Sequence, residues 1–234
     1  MGEFFLKGIF KKAHDAGRFK IRFVQLREFA TDRFSRVDDY PFGHRRGMIL
    51  KADIIAEAIS SIENYQDYRL LYTCPKGQVL TQSTLSAYLP PCPGIIVLCG
   101  YYEGVDERIF TLFPFERISV GDVVLSSGEL PALVVAEAIV RQLPGVLGNP
   151  ESFADDSIIS GVLESPQYTA PREFRDLAVP EVLLSGHHGH IATWKRKESL
   201  RQTLFKKPHL LVHSPLREGD SELLVEIMKE ECHV

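Results

Sequence analysis

Residues 95–104 read Ile-Ile-Val-Leu-Cys-Gly-Tyr-Tyr-Glu-Gly, and this stretch decides the fold class. Its first five side chains are apolar, which is typical of a strand buried on both faces in a parallel sheet. The glycines that follow, Gly100 and Gly104, mark a loop at the carboxyl end of that strand. The stretch therefore predicts a parallel sheet whose loop backbone a ligand can approach closely.

Strands and helices alternate on both sides of this stretch. Apolar patterns predict further strands at 69–73 and 123–125, and helices at 52–62, 83–88 and 129–143. Nearer the N-terminus they predict a helix at 4–16, a strand at 19–23 and a long loop at 27–48. This alternation is characteristic of an α/β domain with a parallel sheet.

Three successive loops at the carboxyl ends of the predicted strands contain glycine, at 74–77, 100–104 and 120–128. Open α/β sheets bind their ligands outside these strand ends. None of the loops matches G-x-G-x-x-G or G-x-x-x-x-G-K-[ST], so neither the dinucleotide fingerprint nor the P-loop is supported. The residues alone predict a nucleotide-like ligand held in another way.

The composition is that of a globular protein of 234 residues, with 44% hydrophobic and 25% charged residues. This excludes a disordered, collagen-like or small disulfide-bonded chain. No apolar run approaches the roughly 18–20 residues that span a bilayer, and no secretory signal is apparent. The four cysteines form no C-x-x-C pair, so we expect reduced thiols, no metal site and a cytoplasmic location.

The net charge of −4 hides two basic regions. Residues 1–50 contain 11 Lys and Arg against 6 Asp and Glu, and residues 195–207 contain six bases against Glu198 alone. Local positive fields can bind phosphates even on an acidic protein, although solvated faces look the same in sequence. Both interpretations stay open from charge alone.

The residue composition of the chain changes after Arg141. A turn-rich, acidic stretch is followed by proline-rich sequence and then by two predicted helices, at 190–206 and 221–230. We therefore expect a first domain at 1–147, an interdomain linker at 148–160 and a small, mainly helical second domain at 161–234.

Several longer sequence motifs occur in a specific order. Residues 99–108 read Cys-Gly-Tyr-Tyr-Glu-Gly-Val-Asp-Glu-Arg, and 119–132 read Ser-Val-Gly-Asp-Val-Val-Leu-Ser-Ser-Gly-Glu-Leu-Pro-Ala. Pro-Gly-Val-Leu-Gly-Asn (144–149), Pro-Gln-Tyr-Thr (166–169) and Val-Pro-Glu-Val-Leu-Leu-Ser-Gly (179–186) follow, and Val-Asp-Asp (37–39) precedes them. Together these motifs resemble those of the TrmD family, the bacterial tRNA (guanine-N1)-methyltransferases of the SPOUT superfamily.

The resemblance implies a SPOUT-type parallel sheet that forms a deep trefoil knot, with S-adenosylmethionine bound in the knot loops. It implies an obligate homodimer with an active site across the interface, and a tRNA substrate methylated on N1 of the guanine 3′ of the anticodon, which maintains the reading frame. Carried over residue by residue, the cofactor site comprises Thr73, Pro75, Gly77, Gly100, Tyr102, Val120, Gly121, Asp122, Val123, Val124, Leu125, Gly128 and Pro131.

The resemblance also implies three catalytic residues. Asp156 matches the general base of the family's linker, Arg141 matches the arginine that stabilises charge on guanine O6, and Glu103 matches a substrate-contacting glutamate. Each has a structural alternative: Asp156 as a helix N-cap, Arg141 as a partner of Glu137, and Glu103 as a turn carboxylate.

Asp38 and Asp39 match a family loop near the substrate, so the resemblance implies an RNA or ion contact there. Positive charge predicts phosphate contacts at Arg45 in the altered loop and at Lys195 and Arg196 on a basic helix. Trp194 precedes Lys195 and Arg196. It could contact RNA together with them, or it could equally be a core tryptophan beneath a solvated basic face. Mg²⁺ in turnover is a further expectation from the family. The histidines at 187, 188 and 190 lack a matching set of Cys or carboxylate ligands, so they predict no metal site.

The chain departs from the family in three places. It starts within the family's first helix, so we expect the native start to lie upstream of Met1. The loop Pro-Tyr-Gly-Gly-Gly-x-Gly-Met is here Pro-Phe-Gly-His-Arg-Arg-Gly-Met (41–48), and two arginines of the family are replaced, by Tyr101 and Ala170. These departures keep two alternatives open: a degenerate member that binds cofactor or tRNA without catalysis, and a SPOUT methyltransferase for another RNA.

Overall fold

The structure is a computed structural model that describes residues 7–43, 47–147, 158, 160–213 and 216–232. The chain divides into two compact units, Met1–Gly148 and Asn149–Val234. Asp156, Arg45 and most of the predicted linker at 148–160 lie outside the described residues.

The first unit begins with helix α1 (Gly8–Asp15), which ends before Gly17 at a φ of 70°. The predicted strand at 19–23 is wrong, because the chain there is irregular. Two of the alternating apolar side chains are not buried, since Ile21 is 36% and Phe23 45% exposed. Alternation indicates a strand only where one face becomes covered.

The long predicted loop at 27–48 contains one short antiparallel pairing. Strands β1 (Asp38–Asp39) and β2 (Ile49–Leu50) pair in the register Asp38↔Leu50 and Asp39↔Ile49. Helix α2 (Ala52–Ser60) follows and confirms the helix predicted at 52–62, with Ile55 fully buried.

A three-stranded parallel sheet forms the centre of the first unit, as the sequence predicted. Its strands β3 (Arg69–Val79), β4 (Ile95–Cys99) and β5 (Phe115–Ser119) are arranged in the order β4-β3-β5. Strand β3 continues six residues past the predicted end at Thr73, and its register to β5 shifts between Thr73 and Gln78.

The third strand was predicted at 123–125, and that prediction is wrong. Those residues are irregular and exposed, whereas the paired strand is β5, Phe-Glu-Arg-Ile-Ser. Sequence pattern missed β5 because two charged side chains interrupt it. Both are paired in the structure: Glu116 binds Arg69 through two oxygens, and Arg117 pairs with Glu107.

Helices cover both faces of the sheet. Helices α3 (Gln82–Leu85), α4 (Ile109–Leu112) and α5 (Glu129–Val140) connect or follow the strands. One core includes Ile55, Leu70, Tyr72, Leu98 and Ile109, and the opposite core includes Leu71, Tyr88, Ile118, Val135 and Ile139. Burial on both faces explains the apolar run in β4.

The second unit is mainly helical. A short hairpin, β6 (Glu173–Phe174) and β7 (Leu177–Ala178), precedes the helices α6 (Glu181–Leu184), α7 (His188–Lys206), α8 (His209–His213) and α9 (Asp220–Glu231). Helices α7 and α9 confirm the two predicted helices and share a core of Val162, Leu200 and Ile227. Among the described residues, none of the helices is long and apolar enough to cross a membrane.

Candidate active site

A cavity of about 370 Å³ lies at the carboxyl ends of the three parallel strands. Its wall is built from residues 72–76 of β3 and from the segments that follow β4 and β5. The stretch at 74–77 was predicted as a glycine-containing loop and is instead part of β3, whereas the other two glycine-containing loops follow β4 and β5. Most of the predicted cofactor residues lie on this wall: Thr73, Pro75, Gly100, Tyr102, Val120, Gly121, Val123, Val124, Leu125, Gly128 and Pro131.

Two predicted cofactor residues, Gly77 and Asp122, do not line the cavity. A side chain at Gly77 would overlap the backbone of Ile118, so this glycine permits the close approach of β3 and β5. Asp122 is exposed in the turn where Val123 N donates to Gly121 O at 2.9 Å.

Hydrogen bonds hold the loops after β4 and β5 together at Gly128. The amide of Gly128 donates to Gly100 O at 2.7 Å, and the buried Thr73 hydroxyl donates to Gly128 O at 3.0 Å. A Cβ at Gly128 would overlap that hydroxyl and the Gly100 amide. The glycine is thus required by packing, and it leaves the loop backbone facing the cavity.

Glu103 lies on the cavity wall next to the segment that carries β2. Its amide donates to Met48 O at 3.0 Å, and Leu50 N donates to Gly104 O at 3.0 Å. Gly47, at a φ of 84°, has no room for a side chain beside the Glu103 side chain. The predicted substrate glutamate is therefore held against the end of the loop in which the chain departs from its family.

Tyr102 connects the cavity to the predicted RNA contact Asp38. A hydrogen bond to the Asp38 carboxylate raises the pKa of the Tyr102 phenol, and the field of Arg27 acts in the opposite direction. The carboxylate of Asp39 instead accepts from Tyr40 N at 2.8 Å. The structure thus places Asp38 near Tyr102 of the cavity wall, whereas the Asp39 carboxylate binds the backbone.

The sequence did not single out three residues of the cavity wall, Tyr72, Lys76 and Arg117. Burial raises the pKa of Tyr72 to about 12, so its phenol stays protonated at neutral pH. Lys76 belongs to the glycine-containing stretch at 74–77, and that stretch was the sequence signal by which it could have been found. Arg117 was missed together with β5, and its guanidinium lies 4.2 Å from the centre of the Phe110 ring.

Arg141 stands at the end of α5, where its amide donates to Glu137 O at 2.9 Å. Its side chain is half-buried and is not part of the cavity wall. Of the other two predicted catalytic residues, Glu103 lies on the cavity wall and Asp156 lies outside the described residues.

In the second unit, the basic face of α7 is largely paired. Arg196 binds the buried Asp220 through two oxygens, at 2.8 and 2.5 Å, while Lys197 and Arg201 pair with glutamates of α9. Lys195 is exposed. These ion pairs favour a structural role for Arg196 and leave Lys195 as the accessible base of the two.

Among the described residues, no three His, Cys, Asp or Glu side chains are grouped so that they could hold a metal ion. The rings of His187 and His190 lie 5.5 Å apart between centroids at the start of α7.

A parallel sheet covered on both faces, with a cavity at its carboxyl edge, defines an α/β protein, and this edge is where open α/β sheets bind their ligands. The model of the family described as tRNA (Guanine-1)-methyltransferase TrmD matches residues 1–213. The chain belongs to this family, as the sequence motifs indicated.

Named relatives agree with this assignment. A tRNA (guanine-N(1)-)-methyltransferase of Staphylococcus epidermidis is 44% identical over 216 residues, which is 92% of this chain and 88% of the relative. Those of Dictyoglomus turgidum and Geobacillus kaustophilus are each 44% identical, over 95% and 96% of this chain and 89% and 92% of their own lengths.

Proposed function

We propose that this protein transfers a methyl group from S-adenosylmethionine to N1 of the guanine 3′ of the tRNA anticodon. The class of enzyme, a methyltransferase acting on tRNA, follows from its family. The observation that carries the proposal is the cavity at the strand ends, whose wall contains eleven of the thirteen residues matched to the family's cofactor site.

The cavity fits the cofactor in size and chemistry. Gly100 and Gly128 let the loops pack closely at the cavity wall, and Val123, Val124, Leu125 and Pro131 supply apolar surface for a purine ring. When bound there, S-adenosylmethionine would supply an electrophilic methyl group. The loops hold the ligand in one orientation because Thr73 and Gly100 tie them together.

The protein's own residues have to activate the guanine. Guanine N1 carries a proton and becomes nucleophilic only when a base removes it. In our proposal the Asp156 carboxylate accepts that proton, the Arg141 guanidinium stabilises the negative charge that develops on O6, and Glu103 contacts the base from the cavity wall. Mg²⁺ dependence stays a prediction from the family alone.

We further propose residues 1–147 as the catalytic domain with the knotted topology of its family and residues 161–234 as the tRNA-binding domain. Phosphate contacts at Lys195 and at the arginine-rich N-terminal region fit a polyanionic substrate. The apolar loop side chains Val123 and Val124 are 54% and 92% exposed, which supports a homodimer that completes the active site.

The test is transfer of labelled methyl from S-adenosylmethionine to an unmodified tRNA transcript, beside a twin in which the target guanine is replaced by adenine. We expect label in the first transcript only. Label in neither, with S-adenosylhomocysteine binding intact, would instead support the degenerate, non-catalytic alternative. Label in ribosomal RNA but not in tRNA would support the other alternative, a SPOUT methyltransferase that acts on another RNA.

Asp156→Ala tests the assignment of the base. Because the carboxylate takes a proton from the guanine and holds no part of the cofactor in this proposal, turnover should fall by at least about 100-fold, the lower end of general-base contributions. S-adenosylhomocysteine affinity, measured by calorimetry, should stay within about twofold. Normal turnover in this variant would remove Asp156 from the mechanism.

A further inference from the structure

Two neighbouring tyrosines form an aromatic pair at the mouth of the cavity. The ring centroids of Tyr101 and Tyr102 are 4.5 Å apart and their planes are nearly perpendicular, at 88°. Both side chains belong to the cavity wall, yet they are 45% and 54% exposed. An edge-to-face pair leaves a ring face open to a further flat partner.

The backbone around Tyr101 is fixed on both sides. Tyr101 forms an antiparallel bridge with Ser127, and its carbonyl accepts from Gly104 N at 2.9 Å. Tyr102 has a φ of 55°, and the nearby Asp38 carboxylate raises the pKa of its phenol. The Tyr101 ring is therefore presented on a prearranged loop, which lowers the entropy cost of stacking a ligand against it.

The surroundings of the pair match a nucleic acid. The field of Arg27 reaches the Tyr102 phenol, and Lys76 lies on the same cavity wall. An aromatic face beside positive charge is the arrangement by which proteins hold unpaired nucleotides, since the base stacks while the phosphate meets the cation. A cofactor in the cavity would be largely enclosed, whereas the Tyr101 ring lies half in solvent.

We propose that Tyr101 stacks on an unpaired base of the RNA substrate and so sets the position of the anticodon loop over the cavity. This inference rests on the proposed function. At this position the family motif carries an arginine, and in this chain an aromatic ring takes its place.

The test compares Tyr101→Leu with Tyr101→Phe. Leucine keeps apolar bulk against Tyr102 and has no ring face, whereas phenylalanine keeps the face and loses only the hydroxyl. We expect the leucine variant to raise KM for the tRNA transcript about 5- to 150-fold, the range of one base–aromatic stack. The phenylalanine variant should stay within about twofold. S-adenosylhomocysteine affinity, measured without RNA, should be unchanged in both, because the inference assigns the ring to the RNA and not to the cofactor.

A second arm identifies the base. In a series of transcripts that each carry one abasic nucleotide in the anticodon loop, the penalty of Tyr101→Leu should disappear at one position, because both changes remove the same contact. Tyr101→Arg should steepen the salt dependence of RNA binding by a slope of about 0.7, as one added phosphate contact does in single strands.

Three outcomes would overturn the inference while leaving the proposed function intact: a leucine variant with the wild-type KM, a penalty equal across all abasic transcripts, or weakened S-adenosylhomocysteine binding, which would assign the ring to the cofactor. Failure of the wild-type protein to bind or methylate the transcript would instead count against the proposed function.

Discussion

At the scale of single residues, Gly128 has the clearest steric requirement in the cavity wall. We predict that Gly128→Ala weakens S-adenosylhomocysteine binding by at least about tenfold, because the added methyl group must displace the Thr73 hydroxyl or the Gly100 loop. Calorimetry measures the affinity. Gly189→Ala is the matched control, since no atom lies within 4 Å of a Cβ there. Equal affinity of both variants would show that the loop does not shape the site.

Cys99 offers a second test at this scale, because it ends β4 beside the cavity. Burial raises the pKa of its thiol to about 11, so about one thiol in 1,000 is ionised at pH 8. We predict slow labelling of Cys99 by a thiol-reactive dye and fast labelling of the exposed Cys232. Peptide mapping by mass spectrometry distinguishes the two sites, and equal rates would contradict the burial of Cys99.

At the scale of elements, the second unit depends on the ion pair between α7 and α9. The side chains of Arg196 and Asp220 are 16% and 1% exposed, and the Asp220 carboxylate also accepts from Arg217 N at 2.7 Å. Removal of one partner leaves a buried charge uncompensated. We predict that Asp220→Ala lowers the free energy of unfolding by about 3–5 kcal/mol, the typical cost of breaking a buried pair, measured by urea titration.

A comparison with a surface carboxylate makes that measurement specific. Glu226→Ala on the same helix removes a carboxylate that is 55% exposed, and it should cost less than about 1 kcal/mol. A similar loss of stability in both variants would mean that the buried pair has no special role in this unit.

The same pair predicts a pH dependence. The Arg196 guanidinium lowers the pKa of Asp220 below its ordinary value of 3.8. Its contribution to stability is therefore complete above about pH 4 and is lost as the pH falls through the lower folded value. The difference in melting temperature between wild type and Asp220→Asn should shrink steadily below pH 4, and a difference that is constant down to pH 2 would refute the assignment.

At the scale of the whole molecule, the prediction concerns assembly. Helix α5 is apolar on nearly every side, and Leu130 and Val134, one turn apart, are 60% and 49% exposed. We predict that Leu130→Glu and Val134→Glu each convert a dimer into a monomer and abolish methyl transfer, because a buried unpaired charge opposes association. Sedimentation velocity measures the state. Leu112→Glu, at a site 65% exposed on α4, is the control that should remain dimeric. A monomeric, active wild-type protein would refute the proposal.

Much of the fold could be predicted from local pattern. The strand at 95–99 and the helices α2, α5, α7 and α9 were found because burial of one face or both imposes a period on the sequence. The strand at 19–23 failed because Ile21 and Phe23 stay exposed, and β5 was missed because its charged residues Glu116 and Arg117 are neutralised by residues outside the strand, Arg69 and Glu107.

The family, the parallel α/β class and the glycine-containing loops at 100–104 and 120–128 follow from the sequence alone, because each of these depends on residue types in a linear order. Only the tertiary structure decided that Gly77 serves strand packing, that Arg196 is paired with Asp220 and that Tyr101 lies open at the mouth of the cavity. A glycine, an arginine or a tyrosine can serve either packing or binding, and the choice is made by which atoms approach it in space.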